Sequence, residues 1–97
     1  MELKPVESIV APRRFLLANL EHANLWSAQL QNANFNGAKL AHASLGGANL
    51  GDAFLGNADL RKAENLEPAQ IKTSFSWRDG HYSPEMREVL GLPLEMS

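Results

Sequence analysis

Every fifth residue from Ala18 to Ala63 is alanine, ten in succession. Two residues after each of the first nine stands an apolar side chain: Leu20, Leu25, Leu30, Phe35, Leu40, Leu45, Leu50, Leu55 and Leu60. Phe15 keeps the same beat one step earlier. A five-residue period sustained this long fits few shapes. On an α-helix, five residues turn through ~500°, so successive leucines land ~140° apart and form no stripe. On a flat strand the side chains alternate, and an odd spacing sends successive leucines to opposite faces. Alanine and leucine two residues apart do share one face of an extended segment. A short extended step with a bend in every quintet therefore points every Ala and every Leu or Phe toward one axis. The chain must coil as a solenoid whose turns stack on one another.

The quintets Ala18-Asn19-Leu20-Glu21-His22, Ala23-Asn24-Leu25-Trp26-Ser27, Ala48-Asn49-Leu50-Gly51-Asp52 and Ala58-Asp59-Leu60-Arg61-Lys62 carry a resemblance. They are similar to the A(D/N)LXX signature of the pentapeptide-repeat proteins, over residues 13 to 62. The resemblance implies an all-β solenoid, a right-handed quadrilateral β-helix with four units and twenty residues per turn. Counting Arg13 to Leu17 as a degenerate first unit, about two and a half coils are expected. Gln29, Lys39, Ser44 and Phe54 depart from the usual Asp or Asn at the second position, which the family holds only loosely.

Three segments follow. Residues 1–12 are a leader or N-terminal cap, with Val6, Ile9 and Val10 apolar and Pro5 and Pro12 as punctuation; they are expected over the first coil. Residues 13–66 are the β-helix. The period slips after Lys62, because Asn65 takes the expected core place and Leu66 arrives late, so the coil is expected to end there. Residues 67–97 form a short helical tail that caps the solenoid or recruits a partner. Pro68 suits a first helical turn. Asp79-Gly80 signals a turn, and Ser83-Pro84-Glu85 reads as a helix start closed by Gly91 and Pro93. An open solenoid end exposes unpaired backbone and a ring of leucines, which gives a cap a physical reason to exist. Ile71, Phe75, Trp77, Tyr82, Met86, Val89 and Leu90 are the apolar stock for it.

The chain has 97 residues, a net charge of −2 and no cysteine, which excludes a disulfide framework and a thiolate metal site. Met1-Glu2-Leu3-Lys4-Pro5 lacks the pattern of a signal peptide, and no apolar run approaches the ~20 residues of a membrane span. We expect a cytoplasmic bacterial protein. Residues 13–67 hold five basic and five acidic groups, so the shaft is neutral.

Residues twenty apart should lie one above the other, ~4.8 Å apart. Phe15, Phe35 and Leu55 then form one internal column, Lys39 lies beneath Asp59, and His22 and His42 share an outer column with Lys62. Two imidazoles at that spacing could share zinc or copper, but two ligands make a weak site; solvated corner residues are expected and no metal or cofactor is assigned. Gly51-Asp52-Ala53-Phe54-Leu55-Gly56 has the spacing of a phosphate-loop opening, yet Asn57-Ala58 follows where Lys and Ser/Thr are needed. A shaft filled by side chains offers no interior pocket, so no enzyme is expected. Gly46, Gly47, Gly51 and Gly56 fall at bends.

The function expected is a non-catalytic scaffold or protein–protein interaction module presenting flat walls. Its candidate contact residues are Trp26, Phe54, Trp77 and Tyr82, with Leu16 and Leu17 on the wall of Phe54. The partner would be another protein or a second copy, with no membrane or nucleic acid. The alternative that the resemblance supplies is a DNA-mimicking regulator of DNA gyrase or topoisomerase, which needs a longer and more acidic rod.

Overall fold

The computed structural model describes residues 14–94. The leader lies outside the described residues. Parallel backbone bridges join Arg14 to Asn34, Asn19 to Lys39, Asn24 to Ser44 and Gln29 to Asn49. Each pair is twenty residues apart, so four quintets complete one turn. The same ladders continue from Asn34 to Phe54, Lys39 to Asp59 and Ser44 to Glu64. They stay single bridges rather than long strands because a corner interrupts the extended backbone in every unit.

The repeat follows from where each N–H goes. In the unit Ala18–His22, the Ala18 N–H donates to the Phe15 carbonyl at 2.9 Å and closes the preceding corner. The Leu20 and His22 N–H groups donate upward to Lys39 and Ala41 at 2.8 and 3.1 Å, and Lys39 returns its N–H to Ala18 at 2.9 Å. The N–H of the fourth residue is left over, at the outside of the corner, where no backbone carbonyl of a neighbouring turn takes it. The second-position side chain solves this: Asn19 Oδ1 accepts the Glu21 N–H at 3.1 Å. Asn24, Asn34, Asn49 and Asp59 serve Trp26, Asn36, Gly51 and Arg61 in the same way. The Asn/Asp preference is thus an Asx turn, present at five of the corners.

The fifth residue pays for the corner in backbone strain. Leu17, His22, Ser27, Asn32, Gly37, His42, Gly47, Asp52, Asn57 and Lys62 all have φ between 57° and 71°. None of them is β-branched, the class for which this region is most hostile.

Ala33, Ala38, Ala43, Ala53 and Ala58 are fully buried, and Phe35, Leu40, Leu45 and Leu55 are 0–1% exposed. The rings of Phe15 and Phe35 stack at 5.0 Å with planes 11° apart, as the internal column requires. Phe15, Leu20 and Leu25, in the first turn, are only half-buried.

Backbone pairing carries past the expected end at residue 66. Phe54 bridges to Phe75 and Asp59 to His81, so the register slips by one residue and then by two. Two local elements absorb the extra residues: α1 (Pro68–Lys72) and a single 3₁₀ turn (Trp77–Asp79). The Leu60 N–H donates to His81 just as the Leu40 N–H donates to Asp59, both at 2.8 Å, so Tyr82 takes the next inward place of that column. Tyr82 is 2% exposed, and its hydroxyl donates to the Trp77 carbonyl at 2.6 Å. Burial pushes the pKa of that hydroxyl up. Ile71 of α1 is fully buried in the same apolar core.

Gln70 ties α1 to the turn below. Its amide donates to the Leu45 and Ala48 carbonyls at 2.8 and 2.9 Å, while its oxygen accepts the Glu67 N–H at 2.7 Å. The helix α2 (Pro84–Leu90) packs against α1 and ends at Gly91, φ 78°. No helix among the described residues is long and apolar enough to cross a membrane.

Candidate functional site

The walls are flat, so what they can do depends on the second and fourth residue of each unit, whose side chains point outward. Trp26 is one of these and is 59% exposed. Its six-membered ring lies over Gly46 in the next turn, where an added Cβ would overlap Trp26 Cζ3 and Cε3. Gly46 has an ordinary negative φ, so what it supplies here is room for the indole and not conformational freedom. The ring forms one side of a groove of about 400 Å³, completed by Gly47, Asn65, Leu66, Glu67 and Gln70.

Phe54 is 39% exposed and faces outward on the wall that begins with Arg14 and Asn34. The tail brings Phe75 onto the same ladder, and the two rings meet at 5.4 Å, tilted by 31°. Phe75 is itself 50% exposed. The pair therefore forms one aromatic patch, half of it from the tail. The sequence signal for Phe75 was hidden by the one-residue slip, because strict counting places it one residue past the ladder position.

Leu16 and Leu17, 56% and 73% exposed, stand at the corner of that wall. With Asn36, Gly37, Gly56, Asn57, Ser76 and Asp79 they line a corner groove of about 390 Å³. Trp77 is half-buried and stacks under the Arg78 guanidinium, 4.8 Å from the ring centre. Tyr82 does not reach the surface at all. Its inward place in the core removes it from any contact surface, because the two extra residues that α1 and the 3₁₀ turn absorb bring it into the leucine column.

His22 and His42 stack as expected, with ring centres 4.9 Å apart and planes within 4°. Among the described residues no group of three or more His, Cys, Asp or Glu side chains comes together. Lys39 and Asp59 are bridged in the backbone, but the Asp59 carboxylate is gripped within its own unit. Arg61 donates to both of its oxygens, at 2.9 and 3.0 Å. That hydrogen-bonded guanidinium, outweighing partial burial, holds the Asp59 pKa below the usual carboxylate value. Among the described residues no buried side-chain polar atom lacks a partner.

The family model for pentapeptide repeats, which spans eight copies of the repeat, matches the chain over residues 15–52 and 38–69, together more than half its length. The chain belongs to the pentapeptide-repeat family. Membership implies a right-handed quadrilateral β-helix, the architecture of the four ladders above, and pentapeptide-repeat proteins are generally structural or interaction modules. A solved structure similar to it is HetL, a pentapeptide repeat protein involved in heterocyst differentiation regulation from the cyanobacterium Nostoc sp. strain PCC 7120. The identity is 31%, the TM-score 0.32, and the match covers 70% of this chain but only 31% of HetL. No curated protein matches the sequence.

Proposed function

We propose that this pentapeptide-repeat protein is a binding or assembly module that works through its outer walls. The observation that carries the reading is the exposure of aromatic side chains on a backbone with no slack: Trp26 at 59% and the Phe54–Phe75 pair at 39% and 50%. Large apolar side chains held exposed on rigid elements are the raw material of interface hot spots. Among the described residues the surface features are open grooves and stacked side chains.

In this reading the solenoid runs for about two and a half coils, and residues 67–94 seal its C-terminal end with α1, α2 and the inward Ile71 and Tyr82. The partner is another protein or a second copy, met in the cytoplasm. A gyrase-directed DNA mimic would need an acidic wall, and the balanced charge of residues 13–67 does not provide one.

The test is a paired surface series. Trp26→Ala, and separately Phe54→Ser with Phe75→Ser, are compared with wild type for self-association by sedimentation velocity and for capture of partners from native lysate. Loss of association or capture with unchanged melting supports the walls as contact surfaces. Unchanged association and capture in both variants would refute the assignment.

A further inference from the structure

The chain contains one Asn-Gly step, Asn36-Gly37. This dipeptide is chemically labile, because glycine leaves its own nitrogen uncrowded beside the asparagine amide. We propose that Asn36 is a self-modification site held in check by the stacked turns, so that its deamidation marks molecules in which the turn carrying Gly56 has lifted away.

The reaction needs no cofactor. The Gly37 nitrogen gives up its proton and attacks Asn36 Cγ. A C–N bond forms, the side-chain nitrogen leaves as ammonia, and a five-membered succinimide results. Water then opens the ring at either carbonyl, giving aspartate or isoaspartate.

Each requirement of that attack is opposed in the folded chain. The Gly37 N–H donates to the Gly56 carbonyl at 2.8 Å, so the nitrogen is neither free nor easily deprotonated. Asn36 Oδ1 accepts the Gly56 N–H at 2.8 Å, which holds the amide toward the next turn and away from its own backbone. The Asn36 N–H is pinned by Asn34 Oδ1 at 2.9 Å. One residue of the next turn, Gly56, thus supplies two of the three restraints. Lifting it frees the nucleophile and the electrophile together.

Both residues of the labile pair have a part in the corner. Gly37 has φ 71°, and an added Cβ would fall 2.5 Å from Leu17 Cδ2. Asn36 is needed as the acceptor for Gly56 because Phe54, at the position that normally supplies one, has no polar atom. The acceptor role of Asn36 therefore falls directly before the glycine of the corner. An aspartate at 36 keeps an acceptor for Gly56. An isoaspartate adds a backbone atom at the corner, shifts the five-residue beat and prevents clean restacking.

The experiment follows peptide mass and isoaspartate content at Asn36 in the wild-type protein at mildly alkaline pH, in buffer and across a urea series. In buffer the conversion should be at least about tenfold slower than in denaturing urea. Below the global transition its rate should rise in step with hydrogen exchange of the Gly56 amide. The variant Ile71→Ala, which empties a fully buried place in the tail that pairs with the turn of Gly56, should speed conversion in buffer; if it fails to fold, the urea series on wild type still decides. Equal rates in buffer and urea, or a rate that ignores Gly56 exchange, would overturn the proposal.

Discussion

The side-chain oxygen of Asn36 accepts the N–H of Gly56, one full turn above it, at 2.8 Å. In five other units the acceptor for that N–H comes from the second residue of the same unit. At Phe54 the repeat has lost its acceptor to an aromatic ring, and the turn below supplies one. A departure from the motif at one position is therefore compensated by a residue twenty places earlier.

Asn36→Ala should leave a part-buried N–H without an acceptor and cost ~1–3 kcal/mol. Asn36→Asp should be nearly neutral. Restoring the local acceptor with Phe54→Asn should remove most of the penalty of Asn36→Ala. Urea midpoints of the four proteins, read as a double-mutant cycle, check this. Additive effects would mean the two positions do not share the Gly56 amide.

Gly46→Ala places a methyl group where the Trp26 ring lies. Overpacking of this kind costs ~1–3 kcal/mol when the neighbour cannot yield. In the Trp26→Ala background the same change should cost much less. Tryptophan emission should shift to the red in Gly46→Ala as the indole is pushed into water, while the ladder and its circular-dichroism signal stay unchanged.

Asp52 occupies a left-handed corner, φ 57°, and is exposed. Asp52→Gly should raise stability by up to ~1 kcal/mol, since glycine enters this region without a Cβ clash. Asp52→Val should lower it by ~1–2 kcal/mol. Thermal melting separates the two directions. A valine variant as stable as wild type would show that the corner is not strained.

The pairing of Asp59 with Arg61 sets a pH dependence. The folded pKa of Asp59 lies below its ordinary value of 3.8. Its contribution is therefore complete above about pH 4 and disappears as pH falls through the lower, folded value. Asp59→Asn keeps the oxygen that accepts the Arg61 N–H but removes the charge. The stability gap between wild type and Asp59→Asn should be constant near neutrality, no more than ~1 kcal/mol for a partly exposed pair, and should close in acid. A gap that widens in acid would contradict the assignment.

Most of the shaft was legible before any coordinates. Burial of Ala33 to Ala58, the Phe15–Phe35 stack and the His22–His42 stack all follow from a period of five and a turn of twenty. These depend on local geometry repeated many times, and errors do not accumulate when every unit restates the rule. Trp26 and Phe54 were also readable as outward, because position within the unit decides direction. Tyr82 and Phe75 were not. Their places depend on how α1 and the 3₁₀ turn absorb extra residues, and counting along the chain fails once the beat slips.

The repeat alone dictated a coiled backbone with an apolar spine, since no helix or flat strand can gather every fifth alanine and its leucine on one side. The folded chain alone decided which outer groups meet: Asn36 with Gly56, Trp26 with Gly46, Phe54 with Phe75. Those contacts join residues in neighbouring turns and depend on side-chain reach and on the shifted register of the tail. Such quantities exist only when the turns are stacked.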